Sequence, residues 1–240
     1  MTEPYVVLHG GFHKTASTYL QRILQRNSGF MRKRGAYYVH HREMRKKFTI
    51  PCHLNGAFNL GVGRKVIVDD ETVKKAEKEF FKPISEFKPE RLILCDENLV
   101  GHCGHCVRFG RLYELRRPFL ASISMQIPYT VREIHLSVRN YADFFAAAYV
   151  EYIRSMQVQA GTREIVFQNR MVNKVINKLS SWNAVVGDIK ENFPDAQLFI
   201  WTFEDFRSNP MMANQILENI SGQKVDVSKF RVPKDQNPRP

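Results

Sequence analysis

Val6-Val7-Leu8-His9-Gly10-Gly11-Phe12-His13-Lys14-Thr15-Ala16-Ser17-Thr18-Tyr19-Leu20, near the start of the chain, reads as a strand, a tight loop and the beginning of a helix. The apolar run from Tyr5 to Leu8 leads into two glycines, and Leu20, Ile23 and Leu24 then recur at the i, i+3, i+4 spacing of an amphipathic helix. Glycine lets a backbone turn where a side chain would clash. A helix N-terminus presents unpaired N–H groups and the positive end of its dipole to an anion. Lys14 adds a positive charge, and Thr15, Ser17 and Thr18 add hydroxyl donors. The segment is suited to holding a phosphate group; the bland alternative is a strand-to-helix turn with a solvated lysine.

The nucleoside-triphosphate loop G-x-x-x-x-G-K-[ST] does not fit, because with Lys14 and Thr15 in its last two slots the required glycines fall on Leu8 and His13. The run His13-Lys14-Thr15-Ala16-Ser17-Thr18 instead resembles the 5′-phosphosulfate loop of sulfotransferases that use 3′-phosphoadenosine 5′-phosphosulfate (PAPS), especially bacterial members with a His-Lys-Thr-[Gly/Ala]-[Ser/Thr]-Thr core. The resemblance implies an α/β three-layer sandwich, P-loop-like, with a central, mostly parallel sheet flanked by helices. It implies that Gly11, His13, Lys14, Thr15, Ala16, Ser17 and Thr18 surround the donor.

A chain of 240 residues can bury one sizeable core, and a single domain over 1–240 is expected. With 43% apolar and 25% charged residues the composition is that of a soluble globular protein. No run approaches the roughly 18 apolar residues of a membrane span, and no signal-peptide pattern opens the sequence, so a cytoplasmic location is expected. A net charge of +12 points to anionic partners, among them nucleotides, acidic glycans, acidic lipids and nucleic acid. The basic run at Arg32-Lys33-Arg34 with Arg42, Arg45, Lys46 and Lys47 contains Tyr37 and Tyr38, a weak basic-aromatic signal that no nucleic-acid module accompanies. The run His102-Cys103-Gly104-His105-Cys106 lacks the second ligand pair of a structural zinc site and reads as a plain loop.

Along the chain, Asn27-Ser28-Gly29 ends the first helix, Ala36 to Val39 is a short strand, and His40 to Lys65 reads as a long surface loop. Long loops are uncommon unless functional, which makes His41, His53 and Asn55 candidate acceptor contacts. Asp69 or Asp70 caps a helix bearing Val73, Ala76 and Phe80, which Pro83 ends or kinks. Arg91 to Cys95 is a continuous apolar strand ending in Asp96-Glu97-Asn98, which places two carboxylates on the rim of the phosphate loop. A helix from about Phe109 to Ser124 follows, then a strand from Glu133 to Val138 that delivers Arg139. Helical stripes at Phe145, Tyr149, Tyr152, Ile153 and Met156, and at Leu179, Trp182, Val185, Val186 and Ile189, read as core. A polar turn around Ala160-Gly161-Thr162 separates them, Gln197 to Thr202 is the last strand, and the tail Arg231 to Pro240 is basic and proline-rich.

Arg139-Asn140-Tyr141-Ala142-Asp143 carries the second resemblance. Sulfotransferases of this kind have a strand ending in Arg, an acidic residue shortly after, a serine eight positions on and an aromatic near the tenth. Tyr149 fills the aromatic slot, while the serine slot holds Ala147, so of the two 3′-phosphate ligands only Arg139 carries over. Phe203-Glu204-Asp205-Phe206 after the last strand, with Trp182 before it, resembles the family's late element, extending the likeness from His9 to about Pro210. It implies a sulfotransferase moving a sulfuryl group from PAPS to a hydroxyl or amine of a carbohydrate or small metabolite, leaving 3′,5′-ADP, with no metal. Lys14 then stabilises the leaving oxygen, and Glu97 is the expected base with Asp96 and His13 behind it. The competing readings are a P-loop kinase for a small metabolite and a basic anion-binding or nucleic-acid-binding module.

Overall fold

The computed structural model describes residues 4–62, 66–158, 166–178 and 180–223. A sheet of five strands lies at its centre in the order β2-β3-β1-β4-β5, every pairing parallel. The strands are β1 (Tyr5–His9), β2 (Ala36–Val39), β3 (Arg91–Cys95), β4 (Thr130–Val138) and β5 (Gln197–Thr202). Near-continuous apolar runs suit strands covered on both faces. Val6, Leu8, Leu92 and Leu94 enter one core, while Val7, Ile93 and Cys95 enter the other.

Helices α1 (Ser17–Arg26) and α2 (Ser28–Arg32) join β1 to β2. Next come α3 (His41–Met44), a π-helical turn over Arg45–Thr49, α4 (Ile50–Asn59) and α5 (Asp70–Phe87). Between β3 and β4 lie α6 (Cys103–Phe109) and α7 (Arg116–Gln126), and between β4 and β5 lie α8 (Tyr141–Val158), α9 (Gln168–Asn177) and α10 (Trp182–Asn192). The chain continues into α11 (Phe203–Ser208) and α12 (Pro210–Ser221). Leu20, Ile23 and Leu24 of α1 pack with Ile216, Leu217 and Ile220 of α12 on the Val7 face. Residues of α4 to α8 and α10 cover the other, completing an α/β three-layer sandwich.

Three sequence expectations are corrected. The supposed loop after His40 is helical from His41 to Asn59. Pro51, which has no N–H to donate, sits in the first turn of α4, just where the wide π turn hands over to α-helix. Pro83 lies inside α5 without ending it: Pro83 and Glu79, whose carbonyl loses its donor, are both exposed, so water can take that carbonyl. The helix expected over Phe109–Ser124 is a turn over residues 110–115 after α6 ends at Phe109, and α7 runs only from Arg116 to Gln126. The His102–Cys106 stretch is α6 itself, with Cys103 and Cys106 buried, and among the described residues no group of His, Cys, Asp and Glu is arranged to hold a metal. Asp69 caps α5 as expected, accepting from the Thr72 N–H at 2.9 Å. The turn at Ala160-Gly161-Thr162, Leu179, the Met156 side chain and the tail from Arg231 lie outside the described residues.

Gly56 explains how α4 reaches α7. A Cβ there would stand 2.3 Å from the Pro118 carbonyl oxygen, so only glycine lets the two helix backbones touch. Gly56→Ala is expected to cost roughly 2 kcal/mol by forcing the helices apart. Denaturant unfolding checks this, and a loss under about 0.5 kcal/mol would mean the crossing is slack.

Candidate active site

Because β1, β3 and β4 are adjacent and parallel, their carboxyl ends open on one rim: His9 is paired with both Cys95 and His135. Ligands of open parallel sheets sit outside that edge. The segments that leave it are the glycine loop after β1, Asp96-Glu97-Asn98 after β3 and Arg139 after β4.

The loop is held in an uncommon shape. Lys14 and Ala16 both have left-handed backbones, at φ 65° and 62°, which costs a non-glycine residue on the order of 1 kcal/mol or more and is concentrated at functional sites. Thr15 lies between them and is buried; its hydroxyl donates to the Phe12 carbonyl and meets the Ser137 hydroxyl of β4. A Cβ on Gly11 would come within 2.9 Å of Ser137 Oγ, so the bare backbone lets the loop press onto β4. Phe12 stacks on Trp182 with ring centroids 4.8 Å apart. Trp182 Nε1 in turn donates to the Arg139 carbonyl at 2.8 Å, and Arg139 Nη1 donates to the Lys14 carbonyl at 2.9 Å. The loop and the β4 end are thus one clamped unit. Arg139 lies over the Phe203 ring, and its buried Nε has no partner among the described residues. Helix α1 starts at Ser17 with neither a side-chain cap nor an acidic residue in its first turn, leaving its positive dipole end uncompensated.

Beside the loop is a cleft of about 350 Å³. Its walls include Lys14, Ser17, Thr18, Glu97, His102 and Glu151. Lys14 Nζ pairs with Glu151 of α8 at 3.0 Å. On the opposite wall Arg45, from the π turn, pairs with Asp96 at 2.7 Å and with Glu97 at 2.8 Å. Burial alone would raise Glu97; Arg45, the Gln21 amide bonded to it at 2.9 Å and the charge it shares with His13 bring it down to about 2. At Asp96, whose side chain is fully enclosed, burial wins over Arg45 and the carboxyl is pushed up. His13 is buried and pushed down to about 3 by desolvation. In the Asn98 amide orientation that satisfies both neighbours, the amide NH₂ donates to His13 Nε2 at 2.9 Å and its oxygen accepts from Arg45. That leaves His13 Nδ1–H to donate to the Tyr113 hydroxyl at 3.1 Å.

A second hollow of about 250 Å³ adjoins the cleft and shares Arg45, Asn98 and His102 with it. Thr49, His53, Leu54, His105 and Phe119 line the rest. His53 stacks on Phe119 at 4.0 Å, and the fully buried Thr49 hydroxyl has no partner among the described residues.

No protein-family model matches this sequence, and no curated protein matches it. A solved structure does: the crystal structure of a sulfotransferase from Alicyclobacillus acidocaldarius aligns over 100% of this chain and 88% of its own, with a TM-score of 0.51 at 15% sequence identity. The chain has a sulfotransferase-like fold. At that identity the likeness is one of architecture, and the site has to be argued from its own residues.

Within this sulfotransferase-like fold, His13, Lys14, Ala16, Ser17, Thr18 and Glu97 face the cleft. Gly11 and Thr15 stand behind that wall and brace the loop through Ser137, and Arg139 braces it from the β4 side. Asp96, expected as a reserve base, lies outside the cleft as the buried anchor of Arg45. Of the residues assigned to the supposed loop, His53 reaches the second hollow, while Asn55 is buried and donates to Asp70 at 2.8 Å. His41 lines neither space. Sequence reading missed Arg45, His102, Ser137 and Glu151. For Glu151 a signal existed: it lies four residues after Ala147, on the helix face assigned to the 3′-phosphate serine.

Proposed function

We propose that the chain is a PAPS-dependent sulfotransferase. The observation that carries the reading is the clamped loop: Lys14 at the mouth of the cleft, an uncapped helix N-terminus behind it and Arg139 bonded to the Lys14 carbonyl, all on the strand-end rim. A nucleotide with phosphates at both 3′ and 5′ positions suits such a rim, with Ser17, Thr18 and the first-turn amides of α1 at the 5′ end and Arg139 Nε, which has no partner among the described residues, at the 3′ end. Ala147 contributes no hydroxyl there, so Arg139 carries the 3′-phosphate with less help than the family's serine gives. Lys14 balances charge that develops on the leaving oxygen. The second hollow takes the acceptor, a small metabolite or carbohydrate unit bearing a hydroxyl or amine, and presents it across Arg45, Asn98 and His102.

Thermal unfolding with 3′,5′-ADP, ADP and ATP, each without and with magnesium, tests the reading. A hundredfold excess over Kd stabilises by about 2.7 kcal/mol. Selective stabilisation by 3′,5′-ADP without magnesium is expected. Equal shifts from ADP and ATP, dependent on the metal, would point to phosphoryl transfer instead.

A further inference from the structure

We propose that Glu151 of α8 is the group that takes the acceptor's proton; this rests on the sulfotransferase reading. Five side chains on the cleft wall could act as a base: His13, Glu97, His102, Cys103 and Glu151. Four are committed elsewhere. His13 is enclosed, with Nε2 accepting from Asn98 and Nδ1 directed to Tyr113. Glu97 is gripped by Arg45 and Gln21 on its two oxygens, which makes it a weak proton acceptor. His102 Nδ1 accepts the Gly104 N–H at 3.0 Å as the cap of α6, so its neutral ring carries the proton on Nε2 and faces the cleft as a donor. Cys103 is buried, and burial pushes its thiol up to about 11.

Glu151 differs in both respects that matter. Its side chain is 41% exposed, and it hydrogen-bonds Lys14, the residue assigned to the leaving oxygen. When Lys14 turns to the donor, the carboxylate loses that bond. The lysine is also what holds the Glu151 pKa below the usual carboxylate range, so its basicity rises as the donor arrives; Arg154 and His102 remain as the other charged or titratable groups facing it. The entering and leaving oxygens stand on opposite sides of the sulfur, a distance a glutamate covers by rotating about its side-chain torsions. The acceptor oxygen then forms a bond to sulfur while the bond from sulfur to the 5′-phosphate oxygen breaks, its electron pair departing onto that oxygen beside Lys14. The hydroxyl proton passes to Glu151. The products are the sulfate ester, 3′,5′-ADP and a protonated carboxyl that later returns its proton to water.

Sulfuryl transfer from PAPS to water and to small alcohols at high concentration, followed as 3′,5′-ADP release, needs no knowledge of the natural acceptor. Glu151→Gln is expected to lower transfer at least a hundredfold while 3′,5′-ADP binds as tightly as in the wild type or tighter, because Lys14 is set free. A structural role alone would weaken binding and the fold together, and Glu151→Asp, which keeps a shortened base, should recover part of the rate without changing nucleotide affinity. Transfer by Glu151→Gln within threefold of wild type, above all alongside a large loss in Glu97→Gln, would overturn the assignment in favour of Glu97. A wild-type protein that neither binds 3′,5′-ADP nor transfers to any of these acceptors would remove the sulfotransferase reading itself, a result seen before any variant is made.

Discussion

Lys14→Ala should reduce sulfuryl transfer from PAPS roughly a thousandfold, the scale seen when one preorganised charge-stabilising group is lost. The argument is electrostatic. Transfer moves negative charge onto a phosphate oxygen, and Lys14 is the cationic side chain of the loop that faces the cleft. The fold should survive, because among the described residues the Lys14 ammonium bonds only the half-exposed Glu151, and such pairs contribute at most about 1 kcal/mol. The Lys14 carbonyl that receives Arg139 is backbone and persists in the variant. Single-turnover rates set beside unfolding midpoints separate these effects. A variant that folds and keeps transfer within tenfold of wild type would remove Lys14 from the chemistry.

Arg45→Ala carries the largest expected stability loss, about 3–5 kcal/mol, and it does not depend on the functional reading. The guanidinium serves two carboxylates: Asp96, with a fully enclosed side chain, and Glu97. Removing it leaves the enclosed Asp96 and the mostly buried Glu97 without their cation, whereas pairing Arg45→Met with Asp96→Asn should restore much of the loss. The pH dependence has a definite sign. In the wild type Glu97 is held at about 2, below its ordinary 4.5, so its stabilising share is present above pH 4.5 and lost as pH falls toward 2. In Arg45→Ala both carboxyls are buried without a cation, their folded values lie above the unfolded ones, and acidification protonates them in the folded state. The gap between variant and wild type should therefore narrow from neutral pH toward pH 4. A gap independent of pH would mean that Arg45 acts by packing.

The strands were readable because a parallel sheet writes itself as apolar runs. The expected bounds of β2, β3 and β5 coincide with the observed ones, while β4 begins three residues early, where β1 shifts register between Val6 and Val7 to accommodate it. The stretch from His41 to Asn59 was opaque for a physical reason. Met44, Phe48 and Cys52 do recur every four residues, but Pro51 and Gly56 read as punctuation, and their roles, at a π-to-α junction and at a helix crossing, exist only in three dimensions. The same division runs through the site. Lys14 and Arg139 belong to contiguous motifs, and the sequence alone singles them out as site candidates. Arg45 and Glu151 arrive from helices whose partners are 51 and 137 residues away; nothing local marks Arg45, and Glu151 is marked only by its place one helical turn after Ala147.

The placement of β1 carries a consequence for biosynthesis. Tyr5 is made well before its two neighbours in the sheet, Arg91 and Thr130. The innermost strand therefore stays unpaired and apolar until β3 has been made and lacks its second neighbour until β4 follows, a high-contact-order route that is slow and prone to aggregation. The glycine loop that follows it takes its shape only once Ser137 and Arg139 of the β4 end are there to brace it, and until then Val6, Val7 and Leu8 lack the strands that bury them.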